Sequence, residues 1–417
     1  MRTYRALFRA PEFTPLFLTS ALHVAGQTVS GLALGTLIYT ATGSPLLSSL
    51  AMFGPSLAQL VGATTLLSAA DRVPPRATLG ALPLAFSLGT AAQAVPGLPI
   101  AAAFSVLLVL GVLASLGGGV RYGLLSEILP KDGYLLGRSV LNMSTGITQI
   151  FGYALGGALV TFLSPRGTLL AGAALYLASA GIAWLGLRRR PPRATGRPSV
   201  AATWRTNSLL WSSSPRRFVY LGLWVPNGLV VGCESLYVPF APRDAGLLFA
   251  CGAVGMLAGD ITMGRFVPRR WRSRLSVPML ALLAAPFLLF GLRPSLPVAA
   301  GLVTVATFGF AASLLLQERL LELTPEELSG HALGLHASGM LAMQGVGATL
   351  AGALADRTSP ATAMSLVAAA SLAVTLGLAR GLTPAGRPRR SAPPAPPPAA
   401  PSPVPASAPR APRRRRP

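Results

Sequence analysis

Glu234 sits in an apolar stretch, with Val231-Gly232-Cys233 before it, Ser235-Leu236-Tyr237 after it, and no neighbouring cation. A charged side chain inside hydrocarbon costs at least about 2.5 to 3.5 kcal/mol, so its presence calls for a role or a partner. It lies sixteen positions beyond Phe218, about 24 Å along a helix that rises 1.5 Å per residue. A carboxyl at that depth is a candidate to take and release a proton or to bind a polar ligand; the alternatives are a structural partner or an interfacial position. His23 is the second candidate for a proton or ligand contact, because imidazole titrates in the range where cells operate. The competing role for His23 is packing, and His336 reads mainly as a packing residue. Cys233 and Cys251 both fall in apolar runs, where they serve as small packing groups. No metal-ligand spacing and no Gly-x-x-x-x-Gly-Lys-Ser/Thr phosphate loop occurs, which leaves no metal and no bound cofactor to expect.

A second set of charges lies near the ends of apolar runs: Arg121, Glu127, Glu318, Arg319 and Glu322. Short loops nearby carry Asp71, Arg72 and Arg76, and then Asp260, Arg265 and Arg269. Such residues can snorkel to a membrane interface. They can also form ion pairs that make and break between two arrangements of a bistable fold. Glu127 with Arg76, Glu322 with Arg269, and Asp260 with Arg265 or Arg269 are the pairings this spacing suggests.

The elements that must position these groups are apolar helices. Hydrophobic residues make up 52% of the chain and charged residues only 11%, against roughly 25% charged in soluble domains. Apolar runs fall near residues 14–39, 45–70, 77–95, 99–128, 134–163 and 167–187, then 218–240, 245–266, 274–291, 296–323, 329–355 and 359–379. Each is long enough for a crossing, which takes about 20 apolar residues. The expected fold is therefore an all-α membrane protein of twelve transmembrane helices in two six-helix halves. Its segments are 1–187, a polar linker 188–217, 218–379, and a Pro/Arg-rich tail 380–417 whose composition cannot form a core. The first run is too long for a cleavable signal peptide and leads directly into a second.

Positive charge fixes the orientation. With the N-terminus inside, 31 of the 35 Lys and Arg fall on cytoplasmic segments, leaving Arg166, Arg243, Arg293 and Arg357 outside. The net charge of +23 is thereby assigned to attraction by anionic lipid head groups. A nucleic-acid platform would interleave aromatics with the basic residues, and the tail from Arg380 onward has none.

The two sets of runs overlay. At an offset of 195, Glu127 falls on Glu322, Gln149 on Gln344, Gly152 on Gly347, Gly157-Ala158-Leu159 on Gly352-Ala353-Leu354, and Ser164-Pro165 on Ser359-Pro360. At 193, Arg72, Pro75 and Arg76 fall on Arg265, Pro268 and Arg269. Parallel six-helix repeats with a ligand site near the midplane are the plan of one large class of secondary transporters. In helix number, linker position and loop motifs over residues 10–380 the chain resembles the major facilitator superfamily. That family's Gly-x-x-x-Asp-Arg-x-Gly-Arg-Arg loop is matched by Leu67 to Arg76, which keeps Asp71, Arg72 and Arg76 and replaces both glycines, with Leu67 and Pro74. The second-half counterpart, Asp260 to Arg269, keeps Arg265 and Arg269. Gly152-Tyr153-Ala154-Leu155-Gly156-Gly157 is similar to the Gly-Pro-x-x-Gly-Gly element of proton-coupled drug exporters, with Tyr153 at the proline. The same small residues, with Gly347 and Gly352 in the second half, also suit plain close helix packing.

The resemblance implies that the first, fourth, seventh and tenth runs line a central cavity, which puts Glu234 on a cavity wall. The expectation is a monomeric secondary active transporter of the cytoplasmic membrane, multi-pass with both termini cytoplasmic. It would export a small, partly apolar molecule in exchange for protons, through a cavity poor in fixed charge. A membrane-embedded enzyme acting on lipid-linked substrates, or a receptor or scaffold, are the rival classes. Reporter fusions at Arg197 and after Arg390 should both read as cytoplasmic; a periplasmic signal at either would reject the twelve-helix topology with both ends inside.

Overall fold

The computed structural model describes residues 4–66, 73–192, 200–325 and 328–382. Asp71, Arg72, Glu326, Glu327, the linker stretch 193–199 and the tail beyond residue 382 lie outside them. The chain runs α1 (Tyr4–Phe8), α2 (Phe13–Thr42), α3 (Pro45–Leu66), α4 (Pro75–Gln93), α5 (Ile100–Ile128) and α6 (Lys131–Gly186). After the linker helix α7 (Val200–Ser212) come α8 (Ser214–Ser235), α9 (Tyr237–Phe240), α10 (Ala245–Ile261), α11 (Arg269–Ala284) and α12 (Leu296–Phe308). The last elements are α13 (Ala312–Glu322), α14 (Ser329–Arg357) and α15 (Pro360–Leu382).

Local chemistry sets the boundaries. Gly43 ends α2 in the left-handed region (φ 66), its N–H donating to the Tyr39 carbonyl, the position where only glycine escapes a Cβ penalty. Prolines open α3, α4 and α15 and stand in the first turn of α8 and α12, where their missing N–H would have had no helical acceptor anyway.

Ten helical stretches among the described residues are long and apolar enough to cross a membrane. One of them, Leu136–Gly186, has 51 residues, far more than a crossing needs. It is two arms joined at Ser164, whose backbone (φ 73, ψ 163) leaves the helical region just before Pro165. The arms fold back on each other: Gly137 lies by Leu7 and Gly186 by Pro15. Helix α4, with 19 residues, is not among the ten. The count expected from the sequence therefore differs from this tally, because α6 enters once and α4 does not enter.

Helix α7 lies inside the stretch read as a plain linker. Its Trp211 ring stacks on Trp224 (5.6 Å, 8°) and on Tyr220 (6.0 Å). The buried Arg216 donates through Nε and Nη2 to the carbonyls of Leu210 and Leu209 (3.1 and 3.0 Å). A guanidinium thus takes carbonyls at the end of α7 that no longer have helical donors.

Glycines place the long helices against one another. Gly152 of α6 meets Thr28 of α2, and Gly347 of α14 meets the backbone of Gly228 in α8. These pairs hold each half of the chain together. Gly157 and Gly352, five residues further on, face the other half. A Cβ on Gly157 would stand 2.9 Å from the Cα of Gly246 in α10, and one on Gly352 would stand 2.7 Å from the Cα of Leu46 in α3. The α6·α10 and α14·α3 seams are thus counterparts, both at the end of the bundle that carries Gly43. The main core, around Tyr237, Phe249, Phe287, Phe290 and Val303, also takes in Leu32 from the first half.

Gly157→Leu should hold that end apart, because the bulk falls on backbone and not on a flexible side chain. With Cys233→Ser and Cys251→Ala, labelling of a Leu46→Cys reporter by a membrane-impermeant maleimide should rise at least about fivefold. The control Gly181→Leu, where an added Cβ meets nothing within 4 Å, should leave it unchanged. Equal labelling in both variants would show that the contact does not close the seam.

Candidate functional site

Pro239 has no N–H to give the Ser235 carbonyl four residues earlier. That acceptor is taken across the bundle by the Ser49 hydroxyl of α3 (3.3 Å). The helix breaks between α8 and α9 at Leu236 (φ −91, ψ 2). Glu234 stands in the last turn before the break and is 8% exposed. Its neighbours have fixed directions. The Cys233 thiol donates to the Met364 carbonyl (3.3 Å), and the Ser235 hydroxyl to the Gly232 carbonyl (2.7 Å).

No hydrogen bond or ion pair among the described residues reaches the Glu234 carboxyl. Around it are rings from both halves. Tyr153 of α6 stacks on Phe249 of α10 (4.7 Å, 18°), and Phe249 meets Tyr237 edge-on (4.8 Å, 64°). Both tyrosines lie within electrostatic reach of Glu234. The Tyr237 hydroxyl is buried without a hydrogen-bond partner. A carboxyl and an unpartnered hydroxyl thus lie near one another where α8 meets α3; the carboxyl can take a proton, and both can bind a water or a polar ligand group.

His23 of α2 packs between Phe86 of α4 (5.1 Å) and Tyr176 of α6 (5.1 Å), its Nδ1 buried and unpartnered. It belongs to the first half and is remote in sequence from Glu234. His336 is buried as well, and its carbonyl accepts from Trp224 Nε1 (3.0 Å).

The charged set at the arginine-rich end is arranged differently from the pairing read in the sequence. Glu127 meets Arg190 (Oε2 to Nε, 3.7 Å), and Arg190 also holds Glu12 (2.7 Å). The Glu12 side chain is 7% exposed and accepts from the Arg188 backbone N–H (3.1 Å). Arg76 instead donates to the Trp184 carbonyl. In the second half Glu318 pairs with Arg272 (3.3 Å), and Arg272 also donates to the carbonyls of Val267 and Gly264. Arg319 donates to the Gly381 carbonyl (3.4 Å). Asp260, Arg265 and Glu322 are exposed. Asp71 and Arg72 lie outside the described residues, as does the side chain of Arg269. Glu12 and Glu127 of the first half are thus held by Arg190 at the start of the linker, and Arg272 and Glu318 lie within the second half, so neither cluster joins the two halves.

A polar tie does cross between halves at the opposite end. Asp356 of α14 accepts from the Ser44 hydroxyl (3.2 and 3.1 Å) and from the Leu46 backbone N–H (3.2 Å). It thus caps the N-terminus of α3, where a carboxylate meets free N–H groups and the positive end of the helix dipole. The sequence analysis separates the runs 14–39 and 45–70 but does not mark this acid, which lies 312 positions from Ser44. Glu12, Arg190 and Arg272 were missed likewise, since nothing in local spacing marks their partners.

The sequence model of the Major Facilitator Superfamily matches residues 16–317. No curated protein matches the chain. Among solved structures, the nucleoside transporter NupG superposes with a TM-score of 0.72 at 12% identity, covering 88% of this chain and 99% of that one. A POT family transporter in complex with 5-aminolevulinic acid gives 0.71 at 11% identity, covering 88% and 95%. A bacterial homolog of the human lysosomal transporter Spinster, inward-facing and unoccupied, gives 0.68 at 14% identity, covering 92% and 97%. At these identities the likeness is one of fold.

Removing Arg190 should leave Glu12 buried with no guanidinium at 2.7 Å. Arg190→Gln should lower unfolding stability by about 1 to 3 kcal/mol, and a cycle with Glu12→Gln should give a coupling of at least about 1 kcal/mol. Strict additivity in detergent melts would mean that the pair contributes nothing.

Proposed function

Because the chain belongs to the Major Facilitator Superfamily, and is thus a secondary transporter and not an enzyme, we propose that it exports a small, partly apolar molecule across the cytoplasmic membrane in exchange for protons. The observation that carries this reading is Glu234, a buried carboxyl with no partner among the described residues, beside the unpartnered Tyr237 hydroxyl and at the meeting of the two halves. A proton bound there removes the cost of burying the charge, and its release restores that cost. Occupancy of one carboxyl therefore biases which arrangement of the surrounding helices is stable, as coupling between proton and substrate requires.

Residues 1–187 and 218–379 act as two bodies joined by the linker 188–217, and the site is exposed to one side at a time. With the Gly43 end taken as the outside, the closed state seen at Gly157, Gly352 and Asp356 faces the cytoplasm. In the opposite state the loops bearing Asp71, Arg72, Arg76, Asp260, Arg265 and Arg269 come together with Glu127, Glu318 and Glu322 to close the inner end. The protein works as a monomer with both termini in the cytoplasm, its arginines against anionic head groups. It requires no cofactor and binds no nucleic acid.

Glu234→Gln preserves shape but cannot exchange a proton. In proteoliposomes this variant should lose proton-driven uphill transport by at least about tenfold and lose its pH dependence, while retaining substrate counterflow. Uphill transport equal to the parent, with unchanged pH dependence, would remove Glu234 as the coupling residue.

A further inference from the structure

Two guanidiniums share one tyrosine ring in the first half of the chain. Arg121 of α5 lies 5.0 Å from the Tyr122 centroid and Arg138 of α6 lies 5.3 Å from it. The Tyr122 hydroxyl is directed away, donating to Asn142 Oδ1 (2.8 Å). Arg121 Nε is buried without an acceptor, and so is His23 Nδ1, which lies within electrostatic reach of Arg121. Neither Arg121 nor Arg138 makes an ion pair among the described residues, and the nearby acid Glu127 is engaged with Arg190. Both arginines stand seven positions from the arginine-rich ends of their helices, about 10 Å in, and His23 stands about 15 Å in.

Both arginines are half-buried; a shared ring face attracts two cations but neutralises neither, and like charges held side by side repel. Negative charge supplied from outside the protein would offset that repulsion. We propose that Arg121, Arg138 and His23 form a binding subsite for an oxyanion, such as the carboxylate, sulfonate or phosphate of an apolar organic acid. A guanidinium presents paired N–H groups that match two oxygens of such a group, and the His23, Phe86 and Tyr176 rings provide apolar surface beside it. This deepens the transport reading and rests on it, since it makes the substrate an organic anion. It departs from the charge-poor interior expected from the sequence.

Binding is measurable without transport, by equilibrium dialysis of radiolabelled 1-naphthoate against the purified full chain in a neutral detergent. Arg121→Gln and Arg138→Gln should each weaken binding at least about tenfold, Arg121→Lys less, and Arg293→Gln at the opposite end less than about twofold. Glu234→Gln should still bind naphthoate, so failure of this site and failure of proton coupling are read separately. 1-Naphthylmethylamine, the same ring carrying a positive charge, should not displace the label. Phosphatidylglycerol that displaces naphthoate from the parent, but has no such effect in Arg121→Gln, would support the oxyanion site and assign it to a lipid head group, overturning the substrate class. Undiminished naphthoate binding in folded Arg121→Gln and Arg138→Gln, or displacement by the amine, would overturn the site.

Discussion

Helices in lipid gain nothing by burying apolar side chains against each other, because lipid tails are equally apolar. What holds them is close approach of backbones, and this fold depends on a few glycines for it. Gly152 and Gly347 let α6 and α14 lie against α2 and α8; Gly157 and Gly352 let the same two helices reach across to α10 and α3. Those contacts also bring polar groups together. Tyr153 reaches Phe249 and the neighbourhood of Glu234 because α6 can lie directly on α10.

Much of this was legible in the sequence because its signals are local or periodic. Apolar length marks spans, glycine and proline mark their ends, and the offset of 195 that related Gly152 to Gly347 and Gly157 to Gly352 reappears as corresponding contacts. The exposure of Glu234, at 8%, fits its reading as a buried carboxyl. Partners distant in sequence were not legible. Glu127 was read with Arg76, yet it is Arg190, beyond the end of α6, that comes to Glu127, while Arg76 turns to a backbone carbonyl. Helix α7 was hidden by the polar residues around it, although Leu209, Leu210 and Trp211 formed an apolar patch that could have signalled docking.

Proline shapes the site more than its composition suggests. Pro239 frees the Ser235 carbonyl for Ser49, α8 ends one residue past Glu234, and Tyr237 is left on a short separate helix. A continuous helix there would satisfy its own backbone and would have no need of α3. The polar character of this region is therefore partly main chain, and a tally of charged side chains overlooks it.

The two seams at the Gly43 end are counterparts in backbone but not in chemistry. At α14·α3, Asp356 holds Ser44 and the Leu46 N–H through hydrogen bonds, which water can replace one for one as the helices part. At α6·α10, Gly157 lies directly on Gly246, and water cannot restore lost contact between two backbones. Gly352 lies as closely on Leu46 at the other edge, so both edges hold by backbone contact and only α14·α3 adds hydrogen bonds that hydration can take over.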